Sequence, residues 1–348
     1  MKALKNVRIG VNWWKLYRVC RVPLLLEHMA GHMNFLPLFS SKTLLHKTRQ
    51  GLLAGVVASM LFTPVSLQSS LAAGNEPVTS ATVETLQDTS RLLAIGGSLT
   101  EIIYALGEEG RLIGRDTTGT YPPQAKNLAD VGYMRQLSPE GVLSINPSAI
   151  LMLEGSGPPE TIEVLEKASV PVVVVPDGMS HEGVLEKIRI VGKTLGVSDK
   201  AEALVAQVDA DMQATEKLVQ KVTKPKRVLF VLSMQGDRIQ ASGTGTAADN
   251  IIKMAGAINV IDSFAGYKQM TDEAVDKLAP DFILMMSGGG DHMARTAEVL
   301  KHPAIISTPA AKTKSVVSMD GLYLLGFGPR TGEAVRELTE ALYPEQKD

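Results

Sequence analysis

The chain has 348 residues, a formal net charge of −2 and one cysteine, but its charges are unevenly distributed. The first 72 residues, called the leader below, hold nine of the 35 basic residues, one of the 37 acidic residues and Cys20. Residues 73–348, the body, therefore have 26 bases, 36 acids, a formal charge of −10 and no cysteine. Without a thiol, the body cannot contain a disulfide, a cysteine nucleophile or a cysteine-ligated metal. Its acidity argues against nucleic-acid binding, which needs a basic face.

The leader (residues 1–72) has the pattern of a cleavable secretory signal. Residues 51–67 are an uncharged, largely apolar run, preceded by Lys47 and Arg49 and followed by small residues. This order of regions is typical of a signal peptide, and we expect cleavage after Ala72 or, alternatively, Ala73. A membrane anchor is the other interpretation, but the run is short for the ~30 Å of a bilayer core. No cysteine follows it, so a lipoprotein anchor is not expected. The leader predicts export to the periplasm.

Strands and helices alternate along the body. Residues 92–96 form a short apolar run that predicts a strand, and residues 99–107 have helical spacing and end at a glycine. Further strands are expected at 149–153 and 170–175, with a helix at 160–168 between them. This alternation predicts an α/β fold with mostly parallel sheets that are covered by helices on both faces.

An internal repeat indicates that the body contains two similar lobes. Residues 138–151 align without gaps with residues 271–284, and five positions are identical, among them Glu140 and Glu273. Each copy has an N-capping hydroxyl residue, a short helix, a proline turn and a strand. Repetition of one such unit predicts two similar α/β lobes.

A long helix is expected between the lobes. Residues 198–222 have apolar side chains at approximately helical period and contain no glycine or proline. About 22 helical residues in this segment would span about 33 Å at 1.5 Å per residue, enough to cross a small domain. It predicts a rigid connection between an N-terminal lobe (73–197) and a C-terminal lobe (223–348). A ligand is then expected in the cleft between the lobes, beyond the carboxyl ends of their strands.

The body shows no recognisable catalytic arrangement. Its three histidines, His181, His292 and His302, lack the paired spacing of a zinc protease, and no serine lies in a nucleophile elbow. The glycine run at 288–290 lacks the lysine and hydroxyl residue of a phosphate-binding loop. A two-lobed exported protein without such groups is most simply a binding protein and not an enzyme.

Tyr121 is the most informative residue of the expected cleft. Pro122 and Pro123 follow it directly, restrict its backbone and stiffen the loop. A tyrosine on a rigid loop can form an aromatic wall for a ligand, or it can bind a metal through its oxygen. A phenol of pKa ≈ 10 is neutral at pH 7, so metal binding requires a cation such as ferric iron, or a nearby guanidinium, to favour the phenolate. The residues alone leave both alternatives open.

From Arg91 onward the chain resembles the periplasmic substrate-binding proteins of ABC importers for iron–siderophores, cobalamin and haem. Residues 115–151 resemble the haem-binding branch in particular, through the Thr-Tyr-Pro sequence at 120–122 followed by 131–137 (VGYMRQL). The segment 326–330 (GFGPR) also belongs to the resemblance. This likeness implies two α/β lobes on one helix and a receptor that binds haem without catalysing a reaction.

Carried onto matching positions, the resemblance implies that Tyr121 is an axial ligand of ferric haem iron, a known role of tyrosinate. The haem propionates require positive charge, for which Arg135 is the first candidate, Arg330 the second and Arg115 the third. For each arginine, a surface ion pair is the alternative role.

Other residues are expected to line the same cleft. Met134 is a candidate for an apolar wall, as are Met234 and Met286, with core packing as the alternative. Ser98 lies in the loop that follows the first strand and is expected to contact the ligand. His292 is the best candidate for a second iron ligand, whereas His181 and His302 are expected to face solvent at helix starts.

Glu140 and Glu273 each lie in the first turn of a predicted helix, where a carboxylate stabilises the helix dipole. The resemblance implies a further role, in which one glutamate per lobe docks onto arginines of an inner-membrane ABC permease dimer with its ATPase. An outer-membrane haem receptor upstream is also implied, and no nucleic-acid partner is expected. The alternative ligands are a ferric siderophore or cobalamin, and an exported haem-modifying enzyme is a less favoured alternative.

Overall fold

The N-terminal lobe is built on a five-stranded sheet. The structure is a computed structural model, and it describes residues 83–235, 238–287 and 292–346 of the chain. All of these residues belong to one unit, Leu71–Asp348. The leader, with its predicted apolar run and cleavage sites, and the glycine run at 288–290 lie outside the described residues. None of the helices in the described part combines the length and apolar composition needed to cross a membrane.

All five strands of the first sheet are parallel, in the order β3-β2-β1-β4-β5. Every residue of β1 and β4 is buried, as expected for central strands that helices cover on both faces. The strands are β1 (Leu92–Ile95), β2 (Leu112–Arg115), β3 (Ala129–Asp130), β4 (Ala149–Leu153) and β5 (Val172–Val175).

The helices of the N-terminal lobe are α1 (Gly97–Ala105), α2 (Pro139–Leu143), α3 (Pro159–Lys167) and α4 (His181–Thr194). The Ser138 hydroxyl accepts a hydrogen bond of 3.0 Å from the Gly141 amide and so caps α2, as the repeat predicts.

The connecting helix α5 (Ser198–Val219) begins at the predicted residue and ends three residues earlier than predicted. It packs against α4 on one side and against the last long helix, α11 (Thr331–Leu342), on the other. Its buried stripe contains Val205, Val208 and Met212. The helix therefore joins elements of both lobes into one packed core.

The second sheet is mixed, in the order β11-β10-β6-β7-β9, with three parallel and two antiparallel strand pairs, in agreement with the prediction of mostly parallel sheets. β7 lies antiparallel to β6 and to β9, whereas β10 lies parallel to β6 and β11. The strands are β6 (Arg227–Gln235), β7 (Arg238–Ser242), β8 (Ile258–Asn259, paired with β6), β9 (Tyr267–Met270), β10 (Phe282–Ser287) and β11 (Val316–Asp320).

The sequence repeat corresponds to equivalent positions in the two sheets. β4 pairs in parallel with β1 in the first sheet, and β10 pairs in parallel with β6 in the second. The Thr271 hydroxyl caps the following helix as Ser138 caps α2, with a bond of 3.3 Å from the Ala274 amide. The other helices of the C-terminal lobe are α6 (Ala247–Met254), α7 (Asp272–Leu278), α8 (His292–Lys301), α9 (Pro309–Thr313) and α10 (Gly321–Leu325).

Candidate functional site

The loop that carries Tyr121 is held by the buried carboxylate of Asp116, directly after β2. This carboxylate accepts hydrogen bonds from the amides of Gly96 (2.9 Å) and Thr118 (3.0 Å), so the ends of β1 and β2 are tied together. The Tyr121–Pro122 peptide bond is cis, and the Tyr121 side chain is 40% exposed. The phenol is therefore accessible on a loop that a buried group keeps in place.

Arg330 of the C-terminal lobe stacks on Tyr121 of the N-terminal lobe. The guanidinium carbon lies 3.5 Å from the centroid of the Tyr121 ring and 5.0 Å from the centroid of the Tyr323 ring. Arginine over an aromatic face is a favourable cation–π arrangement. The stack spans the two lobes, so Tyr121 lies where they meet, as the sequence predicts for the cleft.

Glu101 of α1 holds Arg330 in this position. The Nε and Nη2 atoms of Arg330 each donate a 2.8 Å hydrogen bond to one carboxylate oxygen of Glu101, which is 5% exposed. Burial by itself would lower the pKa of Arg330, but the hydrogen bonds and charge of Glu101 and the nearby Tyr121 raise it. Arg330 thus remains a cation over the Tyr121 ring, and two of its N–H donors are directed to Glu101.

The segment that carries Arg330 is anchored at a second point. Lys187 of α4 is fully buried, and its Nζ atom donates to Asp177 (3.0 Å) and to the backbone carbonyl of Phe327 (3.3 Å). Burial lowers the pKa of Lys187, and the charge of Asp177 opposes this effect. Residues 326–330 are therefore attached to the N-terminal lobe through two ionic groups.

Tyr323 differs from Tyr121 although both rings lie beside Arg330. Burial, together with the charges of Glu337 and Glu333, raises the pKa of Tyr323 to about 12. Tyr323 is thus a neutral phenol at neutral pH.

Arg115 forms an ion pair, which is the alternative role that the sequence analysis gives for each arginine. It is 8% exposed, and its Nη1 atom donates to Asp130 (2.7 Å) and to the Asp116 carbonyl (3.0 Å). Asp130 also accepts from Thr117 (3.1 Å) and from the Gly132 amide (2.9 Å). Because β2 and β3 are neighbours, this ion pair joins the loops that follow the two strands.

The loop after β3 carries a second exposed tyrosine, Tyr133, which is 39% exposed. The Nη1 atom of Arg135 donates a 3.0 Å hydrogen bond to its phenol oxygen. The backbone links this loop to the Tyr121 loop, since the Thr117 amide donates to the Gly132 carbonyl at 2.9 Å. Tyr121, Tyr133 and Arg135 are therefore carried by two adjoining loops at one edge of the first sheet.

The other residues expected in the cleft are more deeply placed. Met134 is 4% exposed and belongs to the hydrophobic core, which corresponds to the alternative of core packing. Met286 and Met234 are partly buried, and each packs against one of the two hydrophobic core clusters. Ser98 is buried near the start of α1, and its hydroxyl has no hydrogen-bond partner among the described residues.

The histidines do not form a metal centre in the part of the chain that the structure describes, where no three His, Cys, Asp or Glu side chains converge on a metal position. The backbone of His292 begins α8, but its side chain lies outside the described residues. His181 lies between Asp209 (2.9 Å) and Glu216 (2.8 Å) of α5. His302 follows α8 and is buried, so the expectation that it faces solvent at a helix start is wrong.

Glu140 and Glu273 are exposed in the first turns of α2 and α7, at equivalent places in the two lobes. Glu101 and Tyr133 were not selected as site residues from the sequence. Glu101 could have been noticed as the single acid in an otherwise apolar helix, and Tyr133 as the aromatic residue of the VGYMRQL segment.

Comparisons with known proteins agree on one family. A family model described as "Periplasmic binding protein" matches residues 92–322. A curated relative from Bacillus subtilis, the uncharacterized ABC transporter substrate-binding lipoprotein YvrC, is 30% identical over 74% of this chain and 82% of its own. The vitamin B12-binding protein of Pectobacterium atrosepticum is 26% identical over 72% of this chain and 88% of its own.

Solved structures resemble this one over about three quarters of the chain. The periplasmic heme-binding protein BhuT, in complex with two hemes, is 40% identical with a TM-score of 0.69, covering 74% of this chain and 99% of BhuT. The periplasmic heme-binding protein RhuT from Roseiflexus sp. RS-1, in apo form, is 37% identical with a TM-score of 0.70, covering 75% of this chain and 100% of RhuT.

Proposed function

Since the chain belongs to the periplasmic binding protein family, whose members are substrate-binding proteins and not enzymes, we propose that it binds haem between its lobes and delivers it to an ABC permease. The observation that carries this proposal is the exposed Tyr121 ring beneath the Arg330 guanidinium, 3.5 Å from its centroid. The likeness to BhuT and RhuT, at 40% and 37% identity, supports haem as the ligand.

Tyr121 has the chemistry required of a ligand for ferric haem iron. A phenolate is an anionic oxygen donor that suits Fe(III), and tyrosinate is one of the known haem ligands. A guanidinium close to the phenol favours the ionised form. Glu101 keeps Arg330 in place through two 2.8 Å hydrogen bonds, so the phenol and its cation are positioned before a ligand arrives.

The three arginines have different roles in this proposal. Arg330 acts on Tyr121 as a positioning residue, because both of its hydrogen bonds to Glu101 occupy the guanidinium edge that would otherwise grip a carboxylate. Arg115 is paired with Asp130 inside the lobe. Arg135 is exposed and is the arginine that we assign to a haem propionate.

The ligand assignment is tested by Tyr121→Phe, which removes the oxygen and keeps the ring. We expect the absorbance bands of tyrosinate-ligated ferric haem to disappear and haem affinity to fall by at least about tenfold. Tyr104→Phe, a tyrosine of α1 that is not part of the site, is the matched control and should leave both unchanged. An unaltered spectrum and affinity in Tyr121→Phe would remove the basis of the proposal.

Cobalamin is the second candidate ligand, because a curated relative named as a vitamin B12-binding protein matches 72% of the chain. A ferric siderophore is a third candidate within the same transporter class. Titration of the purified protein with haem, cyanocobalamin and a ferric siderophore in separate experiments distinguishes them. We expect saturable binding of haem and no competition from the other two.

The cellular setting follows from the family and from the predicted leader. We propose that the body acts in the periplasm after removal of the leader, downstream of an outer-membrane haem receptor. Glu140 and Glu273, one in each lobe, are exposed at equivalent positions and are proposed to dock onto a two-fold symmetric permease with its ATPase. Charge pairs of this kind mainly determine the encounter rate and the orientation of the partners.

A further inference from the structure

Tyr133 and Arg135 form a hydrogen-bonded pair in which the phenol O–H and further guanidinium N–H groups can still donate to a ligand. A guanidinium has five N–H donors and no acceptor, so in the 3.0 Å contact Arg135 donates and the Tyr133 oxygen accepts. The phenol proton is then directed away from Arg135 and is available to another acceptor. Both side chains are exposed, and both can donate to the same incoming anion.

Arg135 differs from Arg115 and Arg330 because it has no acidic partner among the described residues. Arg330 is neutralised by Glu101 at 2.8 Å, and Arg115 by Asp130 at 2.7 Å. Among the described residues, no carboxylate lies within ion-pair distance of Arg135, whose hydrogen bond goes to the Tyr133 phenol. In a body with a formal charge of −10, Arg135 is therefore a local position where an anion is favoured.

The pair lies on the cleft side of the N-terminal lobe. Its loop is tied to the Tyr121 loop through the 2.9 Å bond between Thr117 and Gly132. On the opposite lobe, burial raises the pKa of Tyr267 at the start of β9, while hydrogen bonds and the charge of Arg135 act to lower it. Arg135 is thus close enough to the C-terminal lobe for its charge to act across the gap.

We propose that Tyr133 and Arg135 form a carboxylate clamp, in which the phenol O–H and the guanidinium N–H groups donate together to one propionate of the ligand. This inference rests on the proposed function and adds Tyr133 as a specificity-determining residue. The clamp selects ligands with a carboxylate at the porphyrin edge. It offers no matching advantage to an esterified porphyrin or to the amide side chains of a corrin, because a neutral group gains less from a guanidinium than a carboxylate does.

The experiment compares ferric protoporphyrin IX with its dimethyl ester, which retains the iron and the ring but has no carboxylate. Affinities for both are measured by absorbance titration with the wild-type body, Tyr133→Phe and Arg135→Gln. We expect the wild type to prefer the diacid, Tyr133→Phe to reduce this preference about fivefold and Arg135→Gln to reduce it about tenfold or more. The bands that report Tyr121 ligation should be the same in all three proteins.

Tyr267→Phe is the matched control, since its hydroxyl is bonded within the C-terminal lobe, and it should leave the diacid-to-diester ratio unchanged. An equal loss of affinity for both ligands in Tyr133→Phe would assign the residue to packing and overturn the clamp. An unchanged ratio in Tyr133→Phe, or no preference in the wild type, would also overturn it. If the wild type binds neither porphyrin, the proposed function itself fails, which is a different result.

Discussion

Tyr121 and Tyr133 are exposed to nearly the same extent, 40% and 39%, and each has an arginine beside it, yet the two arginines are held differently. Arg330 comes from the opposite lobe, stacks on the Tyr121 ring and is bound by a buried glutamate. Arg135 comes from the same loop as Tyr133 and bonds to its oxygen.

This difference indicates that the two tyrosine–arginine pairs have different roles. A guanidinium fixed by a carboxylate and stacked on a ring orients that ring and stabilises its phenolate. A guanidinium bonded to a neutral phenol keeps its net charge for an external anion. We therefore expect the Tyr121–Arg330 pair to act on the iron and the Tyr133–Arg135 pair to act on the ligand edge.

The largest expected effect is on haem uptake and comes from residues outside the two tyrosine–arginine pairs. It tests whether ligand binding by those pairs is sufficient for transport. Reversing Glu140 and Glu273 to Lys together should abolish permease-dependent haem uptake, because both docking charges become repulsive. Haem affinity and spectrum should stay as in the wild type. Glu160→Lys, at an exposed first-turn position of α3 outside the repeat, is the matched control and should transport normally. Normal uptake by the double variant would disprove the docking role.

The next effect concerns stability and should distinguish the two arginines. Glu101→Gln leaves the half-buried Arg330 without its carboxylate, and we expect the free energy of unfolding to fall by about 2–3 kcal/mol. Arg135→Gln, at an exposed position without an acidic partner among the described residues, should change it by less than about 0.5 kcal/mol. Denaturant unfolding of the haem-free protein measures both. Equal effects would show that the two arginines are held alike.

Asp130→Asn tests the ion pair between Asp130 and Arg115, because the stability that this pair contributes depends on pH. Partial burial raises the pKa of Asp130, but its hydrogen bonds and the charge of Arg115 lower it below the ordinary 3.8. The stabilisation is therefore fully present above pH 3.8 and is lost as the pH falls through the lower folded-state pKa. We expect the variant to be less stable at pH 7 by up to about 1 kcal/mol.

The difference between wild type and Asp130→Asn should shrink when melting temperatures are compared at pH 7, 4 and 3. A difference that stays constant over this range would mean that the carboxylate charge of Asp130 does not stabilise the loops after β2 and β3.

The smallest expected effect is the salt dependence of haem affinity. Arg135 is exposed, so its attraction for a propionate should be screened, with affinity falling about two- to threefold between low salt and 0.5 M salt. Arg135→Gln should bind more weakly and show less of this dependence. A salt dependence that is the same in both proteins would assign the effect to other charges.

Much of the fold was predictable because it depends on local patterns. The buried run of β1, the capped α2 and its repeat at α7, and the start of α5 all follow from periodicity, capping residues and the absence of helix breakers. The antiparallel β7 and β9 were not predicted, because short strands with mixed exposure resemble loops in a single sequence.

The partners of the charged side chains were less predictable than the strands and helices. Arg115, Arg135 and Arg330 are chemically identical in sequence, and nothing local shows which of them has an acidic partner. Asp130 is 15 residues from Arg115, and Glu101 is 229 residues from Arg330. Only the folded chain shows that two of these cations are already paired, because ion pairs form between residues that are close in space.

By itself, the sequence determined the α/β class, the duplicated unit, the long connecting helix, the acidity of the body and the prominence of Tyr121, since these depend on composition and short-range pattern. The tertiary structure decided which guanidinium stacks on Tyr121, which one is paired inside the N-terminal lobe and which one is exposed without an acidic partner among the described residues. It also placed the Tyr133 phenol in hydrogen-bonding contact with Arg135. These roles depend on distance, burial and the charge of neighbours that are brought together from separate parts of the chain.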